Sequence, residues 1–116
     1  LGNSMKIFAF IIALVASVNA TAASIYCEGK IENSYITNGG DVIIRGDWRN
    51  HWNKICNVND TDVVKCSLWT SYVASAIQNN LKVTVAYTNS GYTCSNLPTY
   101  ANAPTPTYIM IHNSGN

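Results

Sequence analysis

The stretch CSLWTSYVASAIQNNLKVTVAY, residues 66–87, decides the fold. Its first half repeats apolar residues at steps of three and four, which is typical of one face of an α-helix. These residues are Trp69, Tyr72, Val73, Ala76 and Ile77. The spacing predicts a helix over 67–79 that turns Trp69, Val73 and Ile77 toward the core. Asn79-Asn80 predicts its end, because asparagine tolerates the left-handed conformation that closes many helices.

The second half of the stretch changes period. Apolar and polar residues alternate over 81–88, as they do in a half-buried strand. The apolar positions are Leu81, Val83, Val85 and Tyr87. A helix followed directly by a strand is therefore predicted.

The sequence before residue 66 predicts a hairpin and a third strand. Residues 24–37 are rich in Ile and Tyr and read as a strand. Asn38-Gly39-Gly40 follows as a turn signal, since Asn and Gly tolerate positive φ. Residues 41–45 form the returning strand. Residues 48–59 fit both periods in part, and we predict a short strand that leads into a loop.

The sequence after residue 88 predicts a long loop and a last strand. Prolines 98, 104 and 106 exclude a helix or a central strand from 92–107, and a strand follows over 108–112. The order of elements predicts a mainly β domain with one helix. The arrangement expected is a five-stranded, OB-fold-like barrel with the helix between strands 3 and 4, in a single domain over 23–116.

Composition excludes several kinds of partner. The chain has 116 residues, of which 47% are hydrophobic and 11% charged, and its net charge is +1. Nucleic-acid binding needs a basic excess that this chain lacks, and no polybasic cluster marks a membrane surface. We therefore expect no nucleic-acid partner.

Residues 1–22 have the pattern of an export signal. Leu1 to Ser4 precede Met5-Lys6, an apolar run covers 7–18, and small residues follow. This is typical of a secretory signal peptide, and the run is shorter than the roughly 20 residues that span a bilayer. We expect a secreted or periplasmic protein without a membrane span after processing.

Four cysteines, Cys27, Cys56, Cys66 and Cys94, lie outside this leader. An even number in a short exported chain indicates two disulfides, and the absence of a C-x-x-C pair disfavours the alternative of a zinc site. Three pairings are possible. We favour Cys56–Cys66, which closes a short polar loop, with Cys27–Cys94, which ties the first strand to a late loop.

Residues 53–88 carry a resemblance to a known family. Cys56, Cys66, the helix opened by Trp69 and the strand that reaches Tyr87 resemble the B subunits of bacterial subtilase-cytotoxin and pertussis-like toxins. The resemblance implies a secreted OB-fold that binds host glycans, with a homo-oligomer of five copies as its assembly. A Ser-Gln-Phe-like sugar motif of that family is absent, so no binding residue is carried over. The chain also resembles a related group of small secreted bacterial proteins.

Catalysis is not expected. His51 lies among polar residues, His112 lies near the tail, and neither has a recognisable nucleophile motif beside it. Asp60 and Asp62 lack the glycine and glutamate of a calcium-binding EF-hand loop. We predict no catalytic residue, no metal site and no cofactor.

The best candidate binding site is Trp48, Arg49 and Trp52, with Tyr100 in the proline-containing loop as a second contact. Aromatic faces stack on sugars or side chains, and Arg supplies directed hydrogen bonds. In the alternative, one tryptophan fills the barrel and Arg49 pairs with Asp47.

These residues predict a secreted, non-catalytic binding module for a glycan or a protein partner. The alternatives are a periplasmic or envelope structural protein and an enzyme-inhibitor module, whose rigid loop over 92–108 would occupy a cleft.

Overall fold

A computed structural model describes residues 23–88 and 91–113. Within them lie five strands and one helix, in an order that confirms the mainly β class and the helix between strands 3 and 4. The elements are β1 (Ile25–Ile36), β2 (Asp41–Gly46), β3 (Asn53–Asn57), α1 (Val63–Gln78), β4 (Lys82–Tyr87) and β5 (Tyr108–Ile111). The predicted leader, residues 1–22, lies outside the described residues.

The strands form one antiparallel sheet in the order β3-β2-β1-β4-β5. The 12-residue β1 lies at the centre of this sheet and pairs with a strand on each side. Its first half, from Ile25 to Lys30, pairs with β4, and its second half, from Ile31 to Ile36, pairs with β2. The register of β1 and β2 shifts between Ile31 and Asn33. An irregularity of this kind increases the local twist of a strand.

The prediction of a closed barrel is wrong, because the sheet of the described residues is open. It ends at β3 on one side and at β5 on the other. The outer edge of β3 is met by the long loop instead. The N–H of Tyr100 donates to the carbonyl of Trp52 at 2.7 Å, and the N–H of Lys54 donates to the carbonyl of Tyr100 at 3.0 Å. These two bonds occupy the part of the edge that a closing strand would need.

Helix α1 begins four residues earlier than the spacing of its apolar residues predicts. Asp62 is its N-cap, and the carboxylate accepts a hydrogen bond from the N–H of Lys65 at 3.2 Å. The predicted end is confirmed, since Asn80 has a φ of 54°. The N–H of Leu81 then donates to the carbonyl of Ala76 at 2.9 Å, which completes a Schellman motif.

The core lies between α1 and one face of the sheet. Trp69 and Val73 are buried in it, as predicted. Ile77 is 38% exposed, so its predicted place in the core is wrong. The buried side chains of α1, those of Cys66, Trp69, Val73 and Ala76, span about 80° around the helix, and Ile77 lies about 20° beyond the Cys66 edge of that arc, in the last turn.

Both favoured disulfides are present. Cys27–Cys94 joins β1 to the long loop, and Cys56–Cys66 joins β3 to α1. Together they fix the loop and the helix to the sheet.

Candidate functional site

The face of the sheet that points away from α1, here called the outer face, carries the candidate site. Val42 and Ile44 belong to the core, so strand alternation turns Ile43 and Arg45 to the outer face. In the register of β1 and β2, Tyr35 lies opposite Ile43 and Asn33 lies opposite Arg45. Aromatic, cationic and amide side chains are therefore brought side by side.

Trp52 joins this face from the segment that precedes β3. The ring centroids of Trp52 and Tyr35 are 5.1 Å apart at an interplanar angle of 67°, an edge-to-face contact. The guanidinium carbon of Arg45 lies 5.3 Å from the centroid of the Trp52 ring. We call Tyr35, Arg45 and Trp52 the Trp52 cluster.

The Trp52 cluster has a buried floor and an exposed rim. Ile43 lies on the outer face opposite Tyr35, so it is not part of the core beneath α1. It is nevertheless buried. Tyr35 is 40% exposed and Trp52 is half-buried. Part of each ring is thus packed and part is free to meet a ligand.

Arg45 is oriented by three polar neighbours. Its Nη1 donates to Asn50 Oδ1 at 3.2 Å, its Nη2 donates to Asn33 Oδ1, and its Nε lies 4.0 Å from Glu32 Oε1. The Nε is buried and makes no hydrogen bond in the described structure. These contacts hold the guanidinium over the Trp52 ring.

Trp48 has a packing role. A Cβ on Gly46 would lie 2.2 Å from Cζ3 of the Trp48 ring, and one on Gly29 would lie 3.1 Å from its Cε3. The half-buried ring therefore covers two glycines on neighbouring strands and packs against the core. This placement separates Trp48 from Trp52, which the sequence had grouped with it.

Arg49 anchors the long loop. Its Nη1 donates to the carbonyl of Leu97, and the amide of Asn53 donates to the carbonyl of Pro98 at 3.0 Å. The alternative pairing of Arg49 with Asp47 is not among the contacts of the described residues. Asp47 accepts a hydrogen bond from the N–H of Lys30 at 3.0 Å instead.

Tyr100 is brought next to Trp52 by its backbone. It is 52% exposed and has a φ of 53°, a left-handed conformation that is uncommon for a bulky residue. The two hydrogen bonds to Trp52 and Lys54 hold it there. Of the four predicted site residues, the structure thus brings Trp52 and Tyr100 together and places Trp48 and Arg49 in structural contacts.

Sequence reasoning missed Tyr35 and Arg45, although a signal for both was present. The turn at 38–40 fixes the register of the hairpin, and counting outward from it pairs Tyr35 with Ile43 and Asn33 with Arg45. Trp52 could not be added in this way, because the register of β2 and β3 shifts between Val42 and Ile43.

A second polar group lies on the outer face, where Glu28 of β1, Thr84 of β4 and His112 meet. The hydroxyl of Thr84 donates to Glu28 Oε1 at 3.1 Å and lies 2.8 Å from His112 Nε2. Which of Thr84 Oγ1 and His112 Nε2 donates to the other depends on the tautomer of the imidazole.

Metal-ligand clusters and membrane-spanning helices are both absent from the described ranges, 23–88 and 91–113. No group of three or more His, Cys, Asp and Glu side chains in these ranges could hold a metal ion. Neither range contains a helix of the length and apolarity needed to cross a bilayer.

Comparison with family models, with curated proteins and with solved structures gave no match. The resemblance to toxin B subunits therefore stays a prediction.

Proposed function

We propose that the protein is a secreted, non-catalytic binding module and that its ligand is a glycan that stacks on the Trp52 cluster. The observation that carries this proposal is the contact of Tyr35 and Arg45 with Trp52 on a face of the sheet that α1 leaves open. A rigid aromatic surface beside directed polar groups has the composition of a ligand site.

The chemistry of the cluster suits a sugar. The C–H face of a pyranose packs on an aromatic ring, and its hydroxyls need hydrogen-bonding groups at the edge of that ring. Asn33, Asn50 and Glu32 surround Arg45 and offer amide and carboxylate oxygens and amide N–H groups there. No covalent step is required of any of them.

The compartment and the fold support the same proposal. Two disulfides are typical of exported proteins and fit the predicted leader. A long β1 that pairs with both β2 and β4 supports an opened variant of the OB-fold, in which the Tyr100 bridge lies where the barrel would close.

The proposal is tested with protein recovered after export of the full chain. It is screened on immobilised glycans beside the variants Trp52→Ala and Tyr26→Ala. Tyr26 is also exposed on the outer face, but it lies on the half that pairs with β4, so it is a matched control. We expect Trp52→Ala to weaken binding about thirtyfold, since aromatic anchors contribute about 2 kcal/mol or more, and Tyr26→Ala to bind as the wild type does.

The screen has two results that would overturn the proposal. One is a glycan bound equally well by the Trp52→Ala variant and the wild type. The other is the absence of binding to any glycan on the surface while the variant and the wild type remain folded, as judged by circular dichroism.

A second candidate function, protein recognition by the long loop, is favoured by Tyr100. The residue is exposed, while Cys94, Leu97 and Pro98 fix the loop around it. A preorganised loop with an exposed tyrosine is suited to insertion into a cleft of a partner. The Tyr100→Ala variant would then lose the protein partner, captured by the wild type from a secreted fraction, and would keep the binding that depends on Trp52.

A further inference from the structure

The turn between β1 and β2 contains Asn38-Gly39, the single Asn-Gly pair of the chain. Both residues are exposed. Within the described ranges, the side chain of Asn38 makes no hydrogen bond and the N–H of Gly39 has no acceptor. A side-chain amide and the backbone nitrogen that follows it are therefore both unrestrained at the tip of the hairpin.

The space around Gly39 is open, and the anchors of the turn lie on either side of the peptide unit that joins it to Asn38. A Cβ on Gly39 would have only Thr37 Oγ1 nearby, at 3.9 Å. The N–H of Gly40 donates to the carbonyl of Thr37 at 2.9 Å, and the carbonyl of Gly39 accepts from the amide of Asn59 at 3.1 Å. Neither bond uses the Asn38 carbonyl or the Gly39 N–H, so this peptide unit can rotate. Glycine has no Cβ to crowd the approach of its nitrogen to Asn38 Cγ.

We propose that Asn38 is a site of spontaneous deamidation, which the chain carries out on itself without an enzyme. The backbone nitrogen of Gly39 loses its proton and attacks Asn38 Cγ, the bond from Cγ to Nδ2 breaks, and ammonia leaves. Water then opens the resulting five-membered imide at either carbonyl and leaves an aspartate or an isoaspartate at residue 38. One water enters and one ammonia leaves, so the reaction needs no oxidant, reductant or cofactor. Asparagine is among the thermolabile residues of proteins.

Asn33, which lies in β1, is an internal control for this reaction. Its Oδ1 accepts a hydrogen bond from Arg45 Nη2, so its side-chain amide is held. The next residue, Ser34, is paired with Ile44 of β2, so the peptide unit that would have to rotate belongs to the sheet. Asn33 and Asn38 also lie in one tryptic peptide, residues 31–45, because no Lys or Arg separates them. The structure therefore predicts opposite behaviour for two asparagines of the same peptide.

The isoaspartyl product changes the length of the turn. In it the backbone runs through the side chain of residue 38, which inserts an extra methylene group after Thr37. The N–H of Thr37 donates to the carbonyl of Asp41 at 2.9 Å across this residue, and the turn fixes the register of the hairpin. Tyr35, which lies opposite Ile43, comes just before the turn. The isoaspartyl form therefore has a less stable hairpin next to the Trp52 cluster, whether or not a glycan binds there.

Peptide mass spectrometry of protein recovered after export of the full chain tests this proposal. The folded wild type is incubated at neutral and at mildly alkaline pH, beside a urea-unfolded sample and the variant Gly39→Ala, and a zero-time sample corrects for conversion during digestion. Asn38 should gain the mass difference between a hydroxyl and an amino group, faster at the higher pH because the deprotonated nitrogen attacks, while Asn33 of the folded protein keeps its amide. The folded rate at Asn38 should lie within about tenfold of the unfolded rate, and Gly39→Ala, whose Cβ fits the open space, should react at least about tenfold more slowly.

The effect on the hairpin is measured by urea unfolding of the isoaspartyl form, isolated by chromatography, beside the variant Asn38→Asp. Both carry the same added carboxylate, but only the isoaspartyl form has the extra methylene group, so it should unfold at the lower urea concentration. A folded wild type that keeps the Asn38 amide while the unfolded chain loses it overturns the proposal. So does equal conversion of Gly39→Ala, equal conversion of Asn33 in the folded protein, or an isoaspartyl form as stable as Asn38→Asp.

Discussion

Tyr100 and Asn53 form an isolated parallel β-bridge on the outer edge of β3. An unpaired strand edge is a template for other strands, and this bridge covers part of it with a residue of the same chain. The amide of Asn53 adds a hydrogen bond to Pro98 in the same segment. The bridge therefore explains both why the sheet stays open and how a proline-containing loop is held in one place.

The left-handed backbone of Tyr100 predicts an unusual order of variant stabilities. At a φ of 53° a β-branched residue is strongly disfavoured and glycine is not. Tyr100→Val should therefore be less stable than Tyr100→Gly by about 1–2 kcal/mol, the cost of the left-handed region for a residue with a Cβ. Urea unfolding of both variants measures the difference. Equal stabilities, or a more stable valine variant, would contradict the described backbone.

The contact of Trp48 with Gly46 predicts a coupled pair of mutations. Gly46→Ala should cost about 1–3 kcal/mol, because its Cβ enters the space of the Trp48 ring. In a Trp48→Ala background the same change should cost almost nothing, since the ring is gone. A double-mutant cycle of unfolding free energies measures this coupling. Additive effects of the two changes would show that the ring does not cover Gly46.

The parts of the fold that local sequence patterns govern could be predicted. The stripe of Trp69 and Val73, the Asn79-Asn80 end and the 38–40 turn each depend on residues close in the chain. The open sheet could not be predicted, because it depends on the loop around Tyr100 reaching β3 from more than forty residues away. The start of α1 was missed because Val63 and Val64 are exposed and add nothing to the apolar stripe of the core.

In the candidate site, too, local sequence patterns could be predicted and tertiary contacts could not. The sequence nominates Trp52 from an aromatic pair that flanks Arg49 and Tyr100 from its place in the proline-containing loop, and the structure places the two residues together. Trp48 and Arg49 have the same residue types, but their roles depend on Gly46 and on the carbonyl of Leu97, which only the tertiary structure brings to them. A sequence pattern can nominate aromatic and cationic residues, whereas packing decides which of them remain exposed.

Alkaline pH should destabilise the protein through Tyr87. Burial raises the pKa of the Tyr87 phenol from 10.0 to about 12. Between these values the unfolded chain releases the proton and the folded chain retains it, so stability is complete below pH 10 and falls as pH rises toward 12. The wild type should lose about 2 kcal/mol over this range relative to Tyr87→Phe.

Denaturant unfolding of the wild type and of Tyr87→Phe at pH 9, 10, 11 and 12 measures this difference. The two proteins differ only at residue 87, so the contributions of all other groups cancel in the comparison. Parallel pH profiles for the two proteins would show that the Tyr87 phenol is not perturbed in the folded state.

The most direct test of the proposed binding surface is the response of the three tryptophan indole N–H signals in a ¹H–¹⁵N NMR titration with a glycan that the array identifies. The signals are assigned from the single variants Trp48→Phe, Trp52→Phe and Trp69→Phe. We predict that the Trp52 signal shifts with increasing glycan, while the signals of Trp48, under which Gly46 lies, and of the core residue Trp69 stay in place. A saturable shift of Trp48 or Trp69 with an unmoved Trp52 signal would contradict the account.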